Sequence, residues 1–472
     1  MTSQGVRWTA DQVLALAPDA PSRKAGSKLG AAGPWSGTGS TDDGEVWGLC
    51  KGSGSKPYQT VVDLSGPAYK CSCPSRKFPC KHALGLLLLW SAGPSAVAAG
   101  EPPDWAGQWL SGRRAKAADA VAAKGGGGIS ATAAPADPEA ARRRAERRAE
   151  RITAGATELE QRLSDLLRGG LATAEQAGYG MWEEAAARMV DAQAKGLASR
   201  VRELGAIPGS GPGWPVRLLE ECAQLHLLVR GWLHRETLPP ALAATVAGRI
   251  GLPVPAGPDA VAERDAWLVL AQYDTVDTRL TTRRVWLHGT RSGRTALLLS
   301  YGAAGRAPEL ALPVGLCVEA LLTPRPGPAQ VRADLGERLG PATVSTARPE
   351  GVSPREATAA YGTALRDDPW LDSWPTTLAA VVPTPTPSGW QLTDPVSGLA
   401  LPLTPQSRFS SHLWRLVSLS GGHPLTVFGE LGHRGFHPLA AWTAEGTSGD
   451  TRGKAQGGAP GGEGEGGITA LW

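Results

Sequence analysis

The chain has 472 residues, a formal net charge of +4 and a hydrophobic share of 42%. That share excludes a largely disordered protein, and the length allows about three domains. The mild charge permits contact with nucleic acid without demanding it. The start, MTSQGVRWTADQVLAL, lacks a signal-peptide pattern, and the longest apolar run, LGLLLLW at 84–90, is far short of the ~20 residues that span a bilayer. The expectation is a cytoplasmic protein with no membrane partner, where clustered cysteines point to metal and not to disulfides. Gly 61 and Pro 39 indicate linkers, and the abundance of Ala and Arg fits a GC-rich bacterial genome. Seventeen Trp against four Phe read as core anchors.

In chain order, residues 1–95 are dense in aromatics, turns and cysteines. EVWGLCKGSGSKPYQTVVDL predicts two strands around a GSGS turn, and ALGLLLLW an apolar helix. Residues 96–137, with GGGG and much Ala, Ser and Pro, read as a flexible linker. Residues 138–250 turn helical: Leu159, Leu163, Leu166 and Leu167 recur at helical spacing, as do Leu218, Cys222, Leu225 and Val229. Trp182, Met189 and Val190 are expected to point inward on a helix between them, and the whole predicts a small bundle. Residues 260–445 are β-rich, with VWLHGTRSGRTALLLSY predicting a hairpin turned at Ser292 and Gly293. Residues 446–472 read as a disordered tail.

The richest stretch is YKCSCPSRKFPCKH, residues 69–82, which places Cys71, Cys73, Cys80 and His82 in the spacing C-x-C-x6-C-x-H. Residues two apart on a strand share a face, so Cys71 and Cys73 can approach one ion together. PSRKFP brings the chain back, and Cys80 and His82 fall before or within the first turn of the helix. Three Cys and one His form a closed tetrahedral zinc set with no position left for a reacting water, so one structural Zn²⁺ is expected. Lys70, Arg76, Lys77 and Lys81 surround the set, and residues 64–100 contain no acid. These cations either offset thiolate charge or contact phosphate.

This pattern, preceded by a strand pair and followed by an apolar helix, resembles the SWIM zinc finger, over roughly 40–92. The resemblance implies a ββα zinc-binding module, metal ligation by Cys71, Cys73, Cys80 and His82, and a role in DNA binding or protein contact. The expected fold class is multidomain α+β: an N-terminal ββα SWIM finger, a central helical bundle and a C-terminal β-rich region.

Other features carry less. Cys50 reads as a strand thiol, with alternate ligand as the other reading, and KGSGSKP at 51–57 as a hairpin turn, lacking the phosphate-loop pattern. ARRRAERRAER at 141–151 sets Arg144, Arg148 and Arg151 along one side and reads as a solvated helix start. His423, His433 and His437 read as structural, and no nucleophile elbow, Walker A or dinucleotide fingerprint occurs. The expectation is a non-enzymatic zinc protein that binds nucleic acid through Lys70, Arg76, Lys77 and Lys81, or else a protein-interaction adaptor.

Overall fold

The computed structural model describes residues 7–14, 16–42, 44–52, 54, 56–64, 68–75, 77–125, 138–252, 261–276, 280–303, 308, 310–325, 331–405, 407, 411–443 and 468–471. It is a mixed α+β structure. Two short helices, α1 (Ala10–Leu14) and α2 (Ala20–Ser27), precede four strands: β1 (Trp35–Ser40), β2 (Glu45–Cys50), β3 (Tyr58–Asp63) and β4 (Ala68–Cys71). They form an antiparallel sheet in the order β1-β2-β3-β4, so the expected strand pair is the middle of a larger sheet. α3 (Lys81–Ser91) lies on one face, burying Leu84, Leu86 and Leu87 against Val46 and Val62. α2 crosses α3 closely: a Cβ at Gly26 would stand 2.8 Å from the Leu84 Cβ, so a larger residue there would force the helices to shift.

Where a flexible linker is expected over 96–137, residues 104–125 form a helix, α4 (Asp104–Gly125); residues 126–137 lie outside the described residues. The cause is an apolar stripe that composition hides. Trp105, Ala106, Trp109 and Leu110 fall on one side and pack on Trp47 and Val61, the face of the first sheet opposite α3.

The bundle follows as α5 (Pro138–Gly169), α6 (Ala172–Asp191), α7 (Lys195–Gly205), α8 (Trp214–Leu233) and α9 (Pro240–Ile250). Leu159, Leu163, Trp182, Met189, Leu218, Cys222, Leu225 and Val229 fill its core. Leu167 and Val190, expected to point inward, are 41% exposed.

The β-rich region is two antiparallel sheets. The second sheet contains β5 (Glu263–Val276), β6 (Leu280–Gly289), β7 (Thr295–Ala303), β8 (Leu316–Pro324), β9 (Ala333–Arg338) and β10 (Thr343–Val344), in the order β10-β8-β5-β6-β7 with β9 also on β8. On β8, Leu316, Val318, Ala320 and Leu322 alternate inward. The β6–β7 turn passes through Ser292 and Gly293 as expected, and the Asp265 carboxylate accepts the backbone N–H of Ser292 at 2.9 Å. The third sheet contains β11 (Ser373–Thr386), β12 (Gly389–Thr393), β13 (Ala400–Pro402), β14 (Leu425–Gly432), β15 (Gly435–Thr443) and β16 (Thr469–Ala470), in the order β13-β12-β11-β14-β15-β16. Two unforeseen helices accompany it, α10 (Pro354–Asp367), opened by a Ser353–Glu356 capping box, and α11 (Ser411–Ser420). The expected disordered tail departs from expectation at its end: β16 pairs with β15 and Leu471 is fully buried. Residues 446–467 lie outside the described residues.

The units are joined by shared cores. Ala311 and Leu316 of the second sheet region belong to the apolar cluster under α3. Leu268, Leu270 and Trp286 of the second sheet pack on Phe428, Leu439 and Trp442 of the third. Trp370, just before β11, sits in the bundle core, and its indole N–H donates to the Gln224 carbonyl at 3.0 Å. Beside it, Arg249 of α9 ion-pairs with the buried Asp368. Among the described residues no helix is long and apolar enough to cross a membrane.

Trp370→Ala is expected to remove about 3–5 kcal/mol of stability. Denaturant unfolding of variant and wild type checks this. Equal midpoints would show that Trp370 does not fasten the bundle.

Candidate metal centre

β4 ends at Cys71, and the chain bends at once through Ser72 and Cys73. Ser72 keeps the ladder to β3 going by other means: its N–H donates to the Gln59 carbonyl, and its hydroxyl accepts the Gln59 N–H, each at 3.0 Å. Cys73 is thus held just past the strand and not on it, a small departure from the strand expected to carry both thiols. At the far side of the loop Cys80 is the N-cap of α3, with extended backbone and no side-chain capping bond, which leaves its sulfur to face the cluster. His82 follows in the first turn.

The ligand atoms of Cys71, Cys73, Cys80 and His82 all lie within 4.8 Å of one another. Zn–S bonds of about 2.3 Å in a tetrahedron put sulfurs about 3.8 Å apart, so the set fits one zinc with small closure. Cys80 and His82 are buried, and Cys71 and Cys73 half-buried. The Cys71 sulfur stands 3.7 Å from His82 Nδ1 and 3.2 Å from the Thr60 hydroxyl. The Tyr58 ring lies over the imidazole at 4.8 Å between centroids.

The electrostatics of these groups favour a cation. A hydrogen bond from Cys80, opposed by burial and aided by His82 and Thr60, draws the Cys71 thiol far below its usual range, to about 3. That same bond, with burial and the Cys71 charge, pushes the Cys80 thiol up. Burial first, then the Cys71 charge, pushes Cys73 up. Alone, the cluster ionises once and resists further charge; a divalent cation lets all three thiolates form. With four protein ligands the centre is structural, and its zinc cross-links β4 to α3.

Cys50 is buried but is not among the four; its thiol meets the Lys51 carbonyl at 3.8 Å. His437 lies on β15 with its Nδ1 2.8 Å from the Ser407 hydroxyl, and His433 Nε2 accepts from Arg434 at 3.2 Å, so neither gathers a metal set. On α5, Arg148 reaches the Gly251 carbonyl and Arg151 reaches Gln193, which turns part of the arginine run back onto the bundle.

The ligands come together; the four cations do not. Lys81 is exposed in the first turn of α3, whereas Lys70 is exposed on the α4 side of β4, paired with Val61. Lys77 ion-pairs with Asp19 at 2.6 Å, a partner 58 positions away that no local reading finds. Arg76 lies outside the described residues. Lys51 and Lys56, in the β2–β3 connection, are exposed as well.

Comparison with known families agrees with this geometry. Residues 60–90 match the SWIM zinc finger, and residues 147–250 match the SWIM-associated four-helix bundle domain. The chain therefore carries a SWIM zinc finger together with the bundle associated with it. No curated protein and no solved structure matches the chain.

Metal analysis should return one zinc per chain, and Cys71→Ser or His82→Ala should lose it and melt the finger. A finger that stays folded and metal-free would remove the assignment. Because burial and the Cys71 charge push the Cys73 and Cys80 thiols up, and zinc binds them as thiolates, binding releases protons and zinc affinity must fall as pH falls. Chelator competition across the acidic range reads this slope; a flat profile would contradict thiolate ligation.

Proposed function

We propose that the protein is a non-enzymatic nucleic-acid-binding protein, with zinc holding the finger in shape and the lysine rim of the finger making the contact. The observation that carries this reading is the set Lys51, Lys56 and Lys81, with Lys70 apart from them on the α4 side of the sheet. All are exposed, and none makes an ion pair with a described residue. Cations that no described carboxylate answers are available to phosphates, and the counterions they displace make such binding salt-dependent. Tyr58, fixed over His82 beside this rim, adds an aromatic surface.

A second reading, a protein-interaction adaptor, is favoured by a different surface. On α8, Val216, Leu219 and Leu227 are 62%, 48% and 48% exposed, and with Ala223 they follow helical spacing along the outside of the bundle. An apolar stripe of this kind suits a protein partner.

The zinc-loaded chain should bind labelled DNA at low salt, with affinity falling steeply as salt rises. The Lys56→Glu, Lys81→Glu double variant should weaken it and flatten the salt slope by about 1.8 on duplex, the share of two phosphate contacts. Equal, weak binding by variant and wild type would favour the adaptor, to be pursued through Leu219→Asp on α8.

A further inference from the structure

A groove of about 1040 Å³ opens where the finger meets the second sheet. Its walls come from distant parts of the chain: Tyr69 of β4, Trp109 and Arg113 of α4, Arg283 of β6, Tyr301 of β7 and Arg338 of β9. The zinc loop supplies one lip through Phe78 and Pro79.

Three properties of these walls point to a ligand. The first is charge. Arg283 is answered by Asp274, at 2.7 and 2.8 Å, and Asp334 by Arg325 at 2.8 Å. Arg113 pairs with Asp63 at 3.2 Å, and Arg338 lies in the field of that same carboxylate and of Arg113. Burial pushes the Arg338 guanidinium down to about 10, so its charge is held at a cost that an arriving anion relieves. The second is aromatic surface. Tyr301 is 53% exposed and Phe78 38%, and the Arg113 guanidinium lies 5.5 Å from the Trp109 ring centroid. The third is an unmet donor: the Tyr69 hydroxyl is sealed from water at the groove wall and has no hydrogen-bond partner.

We infer that this groove binds single-stranded nucleic acid, with a base on the Tyr301 and Phe78 rings and a phosphate at Arg113 and Arg338. The inference rests on the nucleic-acid reading of the finger and extends it. A strand leaving the lysine rim passes the zinc loop and enters the seam. Exposed rings beside guanidiniums suit a single strand, whose base faces are open to stacking, and not a duplex, whose bases stack on one another.

The test uses the zinc-loaded full chain with labelled oligothymidylate, a labelled duplex, and a free mononucleotide as competitor. Tyr301→Ala and Arg338→Gln are compared with the lysine-rim double variant, with melting curves confirming that each is folded. Tyr301 is half in solvent, so its truncation keeps the test open should Arg338→Gln unfold the seam. The expected result is single-strand affinity about tenfold weaker in Tyr301→Ala with duplex affinity unchanged. Ultraviolet cross-links should map to the peptide containing Tyr301. If only the rim variant weakens the single strand, the groove is refuted while the finger remains a nucleic-acid reader. If wild type binds neither oligomer, the reading of the finger itself fails. Mononucleotide binding without oligomer binding would make the groove a nucleotide site and overturn the inference.

Discussion

Three sulfurs and an imidazole held within 4.8 Å of one another form a cluster that cannot carry its full negative charge unaided. One thiolate at Cys71 already raises the cost of the next at Cys80. A divalent ion removes the conflict, and in doing so ties the end of β4 to the start of α3. Everything the finger presents depends on this tie. It fixes the zinc loop, hence Phe78 and Pro79 at the groove; it fixes His82, hence Tyr58; and it seats α3, whose leucines form the core shared with Ala311 and Leu316 of the second sheet.

The remaining units hold together by burying anchors in one another. Trp370 does so between the third sheet and the bundle. Between the two large sheets the polar counterpart is Glu430, which accepts from Tyr273 and Trp286 at 2.7 Å and from Ser373 at 3.2 Å. A carboxylate set among apolar side chains is tolerable because several donors meet it. Its donors come from β5, β6 and β11, so the network records the relative position of the sheets as well as their contact.

How much of this was legible in the sequence follows from how local each feature is. The four zinc ligands sit within twelve residues, and their spacing alone placed them on a strand end and a helix start. The bundle core on α8 was readable because Leu218, Cys222, Leu225 and Val229 repeat with the helix. α4 was missed because its Ala, Arg and Gly composition resembles a linker, and only the Trp105–Trp109 interval betrayed a face. Lys77 reads as available, but Asp19, the residue that caps α2, pairs with it. The groove could not be read at all: Tyr69, Arg113, Arg283, Tyr301 and Arg338 share no motif, and only the docking of finger on sheet brings them to one place.

The strand formed by Thr469 and Ala470 is short, yet it pairs with Ala441 and Ala440 of β15, and the Leu471 N–H donates to the Leu439 carbonyl at 2.9 Å. Without it, the edge of β15 at Leu439–Ala441 would lose this pairing and offer a template to another chain. Ile468 also rests on Gly315 of the second sheet region, where a Cβ would come within 2.6 Å of its side chain. A few residues thus act as a guard against edge-to-edge association. Their loss would leave the zinc finger and the bundle folded and show itself as self-association of the β region.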